Sequence, residues 1–498
     1  MKNWFLVILS LVLPVMVASA QTMRYEDYKK QQNKKYDGYI TDNQRKYDEY
    51  RRELNNQYAE FMKKNWESFA AKPAVDVKPV PPVVPVDTNP SPTPKPTPVP
   101  ETKPTPKPIP VQPDVLQIPK PKPQPKPIVD VKPKEDLPYT KYSIPFYGMT
   151  ISVGFPKNDS LRLNAVSEKA CAAAWKTLSA NIYDITLSDV LKIRQDLSLC
   201  DWAYVELIKA ISEKKYGVTN EASMMQAYLL AQSGYKIRLA HDKTVLYVLV
   251  ASEHGILSRS YYSINGVRYF PLVSGVSSLY ICQASFEGEK ELSLLLDHEQ
   301  KWNMNPTAPR ILKSKLGIEA QVSVNKHNID FYSNYPKAYF NNDATTTWVV
   351  YANTPMEKTV VNSLYPALRA AIQGMNEKDA VELILNFVQT AFEYGYDDKI
   401  WGCERPFFAS ETLYYPYSDC EDRSILFSRL VRDLIQLDVV LLYYPNHLAT
   451  AVAFTKEVSG DYFTYNNKRF VVCDPTSRGG VGRTMPGMDN QQAKIVVL

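Results

Sequence analysis

The spacing of hydrophobic residues changes along the chain, and near the N-terminus its period is eleven residues. Over residues 21–70 aromatic side chains recur in two series at this period, with charged and amide residues between them. Eleven residues correspond to three turns at about 3.67 residues per turn, so the pattern predicts a helix over 21–70 with one aromatic stripe. Such a stripe supports either self-association or binding to an envelope partner, or else a solvated helix with few contacts. The two series are Tyr25, Tyr36, Tyr47, Tyr58 and Phe69, and Tyr28, Tyr39, Tyr50 and Phe61.

Residues 71–138 follow a different pattern, because Pro, Lys, Val and Thr dominate and no hydrophobic period is present. A chain of this composition cannot bury a core and favours extended polyproline II, which rises about 3.1 Å per residue. We therefore expect a stiff, solvated linker between the N-terminal helix and the rest of the chain.

From residue 139 the composition is typical of a globular protein, and one succession of elements occurs twice. An apolar helix, a strand and an aromatic hairpin follow one another within 139–275 and again within 351–498, at an offset of about 201 residues. The stretch 276–350 between them is predicted to be rich in strands, including 345–351. The pattern predicts an α+β fold in which one unit is duplicated. The matching segments are helix 224–233, strand 235–239 and the Asn265-Gly266 turn, and helix 425–436, strand 439–442 and the Asn466-Asn467 turn.

Candidate catalytic residues lie in the second unit. Ser418 and Glu421 have the spacing of a capping box, which places Cys420 in the first turn of a helix, where the helix dipole favours a thiolate. The acidic neighbours of Cys420 oppose that effect, so a charged base would be needed. His447 opens an apolar strand and Asp474 ends another, so adjacent strands would let the carboxylate orient the imidazole.

These residues occur in motifs that resemble those of the transglutaminase-like superfamily, whose fold is similar to papain. The motifs are Asp419-Cys420-Glu421-Asp422, His447 and Asp474-Pro475-Thr476, within residues 376–476. The resemblance implies a Cys420 nucleophile, a His447 base and an Asp474 that orients it. That superfamily includes cross-linking enzymes, peptidases, deamidases and members that only bind, so the resemblance leaves the reaction open.

An aromatic-rich segment precedes Cys420 and either lines a substrate cleft or serves only for packing. Trp401 and Tyr415 are its candidate substrate-binding residues, and Trp401 is also a candidate contact for the transition state. Cys420 has a competing role as half of a disulfide, with Cys403 or Cys473 as its partner.

The first unit has no Cys, His or Asp at the positions equivalent to the triad. Those positions fall within 217–220, 244–247 and 271–273. His241 lies close by in sequence, but no thiol is predicted opposite it. We therefore expect residues 139–275 to form a degenerate, non-catalytic copy.

The N-terminal segment and the distribution of charge indicate the cellular location and the class of partner. Residues 1–20 resemble a secretory signal peptide, so we expect a mature chain that starts at Gln21 and is periplasmic, secreted or at the cell surface. No other stretch is long and apolar enough to span a bilayer. The net charge is +5, and much of the excess Lys lies in the linker, which argues against a nucleic-acid partner.

No metal-binding motif and no cofactor motif are present in the sequence. Taken together, the patterns predict an exported thiol enzyme that hydrolyses, or transfers, an amide bond of a protein or peptide substrate. The alternative is a non-catalytic envelope protein that uses the same fold for binding or as a scaffold.

Overall fold

The computed structural model describes residues 29–30, 45–75, 115–116, 122–128 and 137–498. The predicted signal peptide and the first aromatic residues of the eleven-residue repeat lie outside these ranges. Within them, no helix combines the length and the apolar character that crossing a bilayer requires. The molecule combines helices with two larger sheets, as the α+β prediction expected.

The N-terminal helix α1 covers residues 45–62 and packs on the first half of the globular part. The Tyr58 ring stacks against Trp175, with 4.5 Å between centroids, and against Phe286 at 4.4 Å. The spacing of the buried positions is three or four residues, as expected for one face of an ordinary α-helix. The buried residues of this face are Arg51, Asn55, Tyr58, Ala59 and Met62.

The predicted helix over 21–70 with an aromatic stripe needs correction in its C-terminal part. Tyr47 is 56% exposed and Tyr50 54% exposed, whereas Tyr58 is buried. Phe69 lies in a β-strand instead of the helix. The helix face that carries Arg51 and Tyr58 packs on the globular part. Most of the described part of the aromatic stripe lies on another face and points into solvent.

The first half contains α1, a β-hairpin, four further helices and a curled sheet. The sheet has the order β1-β10-β5-β6-β9-β8, and Lys72, just beyond β1, bridges to Tyr261 beside β8. The elements are β1 (Glu67–Ala70), β2 (Val115–Leu116), β3 (Tyr139–Phe146), β4 (Met149–Pro156), α2 (Glu168–Leu178), α3 (Asp184–Asp196), α4 (Asp201–Tyr216), α5 (Asn220–Gln232), β5 (Ile237–His241), β6 (Leu246–Ala251), β7 (Gly255–Ile256), β8 (Tyr262–Ile264), β9 (Val267–Pro271) and β10 (Ser278–Ile281).

The predicted domain boundary at residue 275 cuts through this sheet. Strand β10 begins at Ser278 and pairs antiparallel with β5, with Tyr280 opposite His241. The first unit therefore extends at least to Ile281, because β10 satisfies the backbone groups along one edge of β5.

The second half contains a short connecting region, a group of helices and a second sheet. This sheet has the order β18-β19-β17-β16-β20-β2. The elements are β11 (Arg310–Lys313), β12 (Glu319–Val322), α6 (Lys326–Tyr332), β13 (Ala338–Tyr339), α7 (Trp348–Asn353), α8 (Lys358–Ser363), α9 (Tyr365–Ile372), α10 (Glu377–Thr390), β14 (Glu393–Tyr394), α11 (Asp397–Ile400), α12 (Ala409–Tyr414), β15 (Tyr417–Ser418), α13 (Cys420–Leu434), β16 (Asp438–Tyr444), β17 (His447–Ala453), β18 (Tyr462–Tyr465), β19 (Lys468–Cys473) and β20 (Lys494–Val497).

The two large sheets arrange their strands in the same way. In each, a helix (α5 or α13) leads into a central hairpin, a second hairpin adds on one side, and a later strand adds on the other. The outermost strand on that other side comes from the N-terminal part of the chain, as β1 in one sheet and β2 in the other.

The predicted strand over 345–351 is wrong, because α7 occupies residues 348–353. All five residues from Trp348 to Ala352 are buried, so a continuous apolar run here forms a helix enclosed on every side. Such runs are equally compatible with a buried strand or a buried helix, and contacts decide between them. Here Arg432 of α13 donates to the backbone oxygen of Ala352 and to Asn353 Oδ1.

The linker predicted over 71–138 is not wholly a free spacer. Val115 and Leu116 pair with β20, and Ile128 donates its backbone N–H to Gln232 O at 3.0 Å. Gln124 donates to Leu199 O at 2.7 Å. Parts of the Pro/Lys-rich segment therefore bind to the globular part. Their backbone and side-chain amide groups form hydrogen bonds with backbone groups of strand β20 and of the helical region. Residues 76–114, the centre of the predicted spacer, lie outside the described residues.

The largest hydrophobic cluster runs through both halves of the molecule, and each large sheet carries a smaller cluster of its own. Tyr332 of α6 stacks on Phe408, with 4.2 Å between ring centroids, and Tyr351 of α7 lies 4.5 Å from the same ring. These contacts pack α6 and α7 against the start of α12.

Arg51 and Asp184 form a buried ion pair that fixes α1 to α3, with 2.6 Å between nitrogen and oxygen. Replacing Arg51 with Ala would remove the buried cation that Arg51 supplies to the Asp184 carboxylate. We expect the free energy of unfolding to fall by about 3–5 kcal/mol, measured by urea denaturation. The matched control is Arg52→Ala at the neighbouring exposed position, which should change stability little. Equal losses in the two variants would contradict this account.

Candidate functional site

Cys420 is the first residue of α13, and its side chain is buried. Asp419 precedes the helix, and Asp422 Oδ2 accepts a hydrogen bond from the Asp419 backbone N–H at 3.2 Å. The cap predicted for Ser418 and Glu421 is therefore wrong by one residue. Ser418 does not cap the helix, because its hydroxyl accepts a hydrogen bond from Arg423 Nε at 3.1 Å. Cys420 still lies in the first turn, as predicted.

His447 is positioned by a tight hairpin between β16 and β17. Tyr444 pairs with His447, and Asn446 in the turn has a left-handed backbone with φ of 67°. Asn tolerates this conformation better than most residues, which explains the two-residue turn. Ser424 of α13 donates to Leu448 O at 2.9 Å, so the start of β17 is tied to the helix that carries Cys420.

Asp474 follows β19, which pairs with β17, and its carboxylate reaches His447. The distance from His447 Nε2 to Asp474 Oδ2 is 2.9 Å, and both side chains are almost completely buried. The other oxygen of Asp474 accepts from the backbone N–H groups of Thr476 at 2.8 Å and Ser477 at 3.1 Å. The carboxylate is therefore held in one orientation and fixes the imidazole ring.

The remaining ring nitrogen, His447 Nδ1, is buried and has no hydrogen-bond partner among the described residues. The Cys420 thiol donates to Glu421 Oε2 at 3.0 Å instead of to His447. The backbone N–H of Leu448, the residue after His447, lies close enough to the sulfur to lower the pKa of Cys420. The structure thus brings all three predicted site residues into one buried region, with the thiol turned toward Glu421.

Burial raises the pKa of the Cys420 thiol well above its ordinary value, and the carboxyls of Glu421 and Asp419 raise it further. From the sequence we expect the acidic neighbours to raise the pKa of Cys420. Their effect on that pKa is larger than the lowering by the Leu448 N–H. In the arrangement seen here Cys420 is therefore a neutral thiol.

The acidic residues near Cys420 form a buried cluster that no sequence motif indicated. Burial, and then the proximity of Glu421, raises the pKa of Glu404 to about 10. Burial, followed by Asp419, raises the pKa of Glu421 to about 8, and burial raises that of Asp397 to about 7. Protons therefore neutralise most of this cluster at neutral pH, because several adjacent buried carboxylates cannot all ionise.

Three of these carboxyls could also hold a cation. Asp397, Asp419 and Glu421 each offer one oxygen, and the three oxygens lie within 4.8 Å of one another. Asp419 Oδ1 is buried and has no hydrogen-bond partner among the described residues. Oxygen ligands of this kind suit hard cations such as Ca²⁺. The sequence predicted no metal site, because Asp397 belongs to a short helix more than twenty residues before Asp419.

Trp401 and Tyr415, the predicted substrate-binding residues, pack around Arg405. The Arg405 guanidinium lies 4.2 Å from the centroid of the Trp401 ring, and the two aromatic rings are 5.0 Å apart. Arg405 also donates to Glu411 Oε1 at 2.9 Å. This aromatic cluster has a structural role through Arg405, and a substrate contact of Trp401 or Tyr415 stays a prediction.

All six cysteines are free thiols in this structure, including Cys403, Cys420 and Cys473. Cys403 is exposed and the other five are buried. Cys420 is therefore not held in either of the disulfides considered as alternatives to a catalytic role.

The positions predicted to replace the triad in the first half surround an open cleft. The cleft has a volume of about 390 Å³ and lies at the start of α5. Asn220, the first residue of α5, donates to Thr244 O at 3.1 Å and accepts from the Leu246 N–H at 2.9 Å. Its lining includes Val218, Asn220, Thr244, Leu246, Leu272 and Val273, and none of the residues around it is Cys or His.

Comparison of the chain with protein-family models, curated proteins and solved structures finds no match. The resemblance to the transglutaminase-like superfamily therefore rests on the three sequence motifs alone.

After burial, the Glu421 carboxyl is the largest cause of the raised pKa of Cys420, so its removal tests the electrostatics of the site. Glu421→Gln removes a negative charge that opposes the thiolate, so the pKa of Cys420 should fall and the thiol should ionise at lower pH. We expect faster iodoacetamide labelling of Cys420, with the largest difference above pH of about 8, where Glu421 itself ionises. Labelling is measured against pH by peptide mass spectrometry.

The control for this experiment is Glu393→Gln, which removes an exposed carboxylate in the same region. Its labelling profile should match that of the unmodified protein. Unchanged or slower labelling of Glu421→Gln would show that Glu421 does not hold the thiol in its neutral form.

Proposed function

We propose that this chain is an exported thiol enzyme of the transglutaminase-like type, which cleaves or transfers an amide bond of a protein or peptide. One observation carries the proposal. His447 is held by Asp474 through Nε2, and it keeps a buried, unpartnered Nδ1 beside the helix that begins with Cys420.

The hydrogen-bond arrangement assigns the roles of the three residues. A carboxylate only accepts hydrogen bonds, so Nε2 carries the hydrogen shared with Asp474 and Nδ1 has a free lone pair. Nδ1 can therefore accept the proton of Cys420 once the thiol leaves Glu421. The imidazolium formed in this way is stabilised by Asp474, as in other nucleophile–His–acid triads.

The reaction then follows from the chemistry of the thiolate. The sulfur attacks the amide carbonyl carbon, and the resulting imidazolium gives its proton to the leaving amine, which produces a thioester on Cys420. A water molecule, or an acceptor amine, attacks the thioester and restores the thiol. Water is the default acceptor, so hydrolysis is the reaction we favour.

The arrangement of the two sheets supports the proposal that the chain contains two copies of one unit. Strand order and the preceding helix agree between the halves. The first-half cleft is lined by Asn220, Leu246 and Leu272, which open α5, open β6 and follow β9. Cys420, His447 and Asp474 open α13, open β17 and follow β19 in the same order. In this proposal the second copy has the papain-like catalytic core and the first is a degenerate copy.

The alternative is a non-catalytic envelope protein that uses this fold for binding or as a scaffold. The neutral thiol favours it, since the pKa of Cys420 is raised by burial and by Glu421 instead of lowered. In that case the first-half cleft and the N-terminal helix would supply the contacts with a partner.

An unbiased substrate search distinguishes these two functions. The protein is incubated with a denatured bacterial proteome, and new peptide termini and new isopeptide bonds are quantified by mass spectrometry. We expect new termini with the unmodified protein and their loss, by at least about 100-fold, in Cys420→Ala, because the nucleophile is essential.

The matched control is Cys473→Ala, which removes a buried thiol at the end of β19, the strand that pairs with β17. It should keep the activity in proportion to its folded fraction. New isopeptide bonds without new termini would identify a transferase, and no change of either kind would favour the binding protein.

A further inference from the structure

The hydroxyl group of Tyr394 is a buried polar atom at the candidate site that the triad leaves unused. Tyr394 Oη is shielded from solvent and has no hydrogen-bond partner among the described residues. Buried hydroxyl groups are normally hydrogen-bonded, so an unpartnered one close to the candidate nucleophile calls for a functional explanation.

Backbone pairing holds Tyr394 close to the nucleophile. Strand β14 pairs in parallel with β15, and Tyr394 lies opposite Ser418, two residues before Cys420. The Arg423 guanidinium lies 5.2 Å from the centroid of the Tyr394 ring, and the same side chain donates to Ser418 Oγ. The ring is therefore fixed by the elements that carry the thiol.

The charged neighbours of Tyr394 are those of the candidate site. Burial raises the pKa of Tyr394 far above its ordinary value, and Cys420, Asp419 and Glu421 raise it further, in that order. The phenol therefore keeps its proton throughout the physiological range and remains a hydrogen-bond donor. Its hydroxyl can therefore donate a hydrogen bond to an acceptor that arrives during the reaction.

We propose that the Tyr394 hydroxyl donates a hydrogen bond to the oxyanion that forms when Cys420 attacks a carbonyl carbon. This inference rests on the proposed function and makes Tyr394 a catalytic residue of that reaction. Trp401, the sequence candidate for a transition-state contact, packs on Arg405 instead.

The proposed step is the attack of the Cys420 sulfur on the carbonyl carbon of the substrate. His447 Nδ1 takes the thiol proton as the sulfur–carbon bond forms, and the carbonyl π electrons move to the oxygen. The Tyr394 O–H and the backbone N–H groups at the start of α13 stabilise that negative oxygen. The tetrahedral intermediate collapses when the carbonyl re-forms, the carbon–nitrogen bond breaks, and the leaving amine takes the proton from the His447 imidazolium.

Two reagents separate oxyanion stabilisation from thiol reactivity. p-Nitrophenyl acetate acylates Cys420 through a tetrahedral oxyanion and releases p-nitrophenolate. Iodoacetamide alkylates the same sulfur by displacing iodide from a saturated carbon, and no oxyanion forms. Both rates are measured at Cys420 by peptide mass spectrometry in a Cys403→Ser background, because Cys403 is the exposed thiol.

We expect Tyr394→Phe to lower the acylation rate about 100-fold, the usual loss of one oxyanion donor. The alkylation rate should stay within about twofold, since the donor acts only on the oxyanion. The matched control Tyr417→Phe removes a hydroxyl from the adjacent strand, where the side chain is 41% exposed. It should change neither rate.

Equal losses of both rates in Tyr394→Phe would overturn the proposal, because the hydroxyl would then support the thiol or the fold. No change in either rate would also overturn it. If Cys420 of the parent protein reacts with neither reagent while remaining a free thiol, the proposed function itself fails. That outcome is distinct from a failure of Tyr394 alone.

Discussion

The hydrogen bond between His447 and Asp474 is the interaction on which the candidate site depends. It forms only because β17 and β19 are neighbours in the second sheet, so that the residue opening one strand meets the residue that ends the other. The β16–β17 hairpin also places His447 next to α13, because Ser424 of that helix donates a hydrogen bond to the backbone oxygen of Leu448. A shift of β19 by one residue would turn Asp474 to the other face of the sheet and remove the partner of the imidazole.

The acidic cluster opposes this arrangement. In the proposed function His447 accepts the proton of Cys420, whereas in the structure the thiol donates to Glu421 and burial raises the pKa of the thiol. The site therefore contains a base that favours thiolate formation and carboxyls that disfavour it. Anything that neutralises Glu421 and Asp419, whether protons or a cation, shifts the balance toward the thiolate. In the proposed function, the charge state of this cluster sets how readily Cys420 loses its proton.

Features that depend on local pattern could be predicted from the sequence. The apolar run before Asp474 and the Pro445-Asn446 turn before His447 indicate two strand ends that can meet. The helix at Cys420 follows from its amphipathic face. The cap was misplaced by one residue because Arg423, five positions beyond Ser418, binds the serine hydroxyl.

Features that depend on distant contacts could not be predicted. The run at Trp348 forms a helix because it is enclosed by the core, and sequence alone does not reveal that enclosure. Asp397 lies in the short helix α11 and Glu404 in the irregular segment after it, and the spacing of either residue from Cys420 carries no information about proximity. The unpartnered hydroxyl of Tyr394 is likewise visible only once β14 is paired with β15.

The most direct test of the central claim is the pH dependence of Cys420 alkylation with and without His447. Iodoacetamide labelling of Cys420 is followed by peptide mass spectrometry in Cys403→Ser protein and in the same protein carrying His447→Ala. A functional Cys–His pair predicts a phase of labelling below the ordinary thiol pKa of about 8.5, and loss of that phase in His447→Ala. Identical profiles in the two proteins, both following an ordinary or a more weakly acidic thiol, would contradict the account.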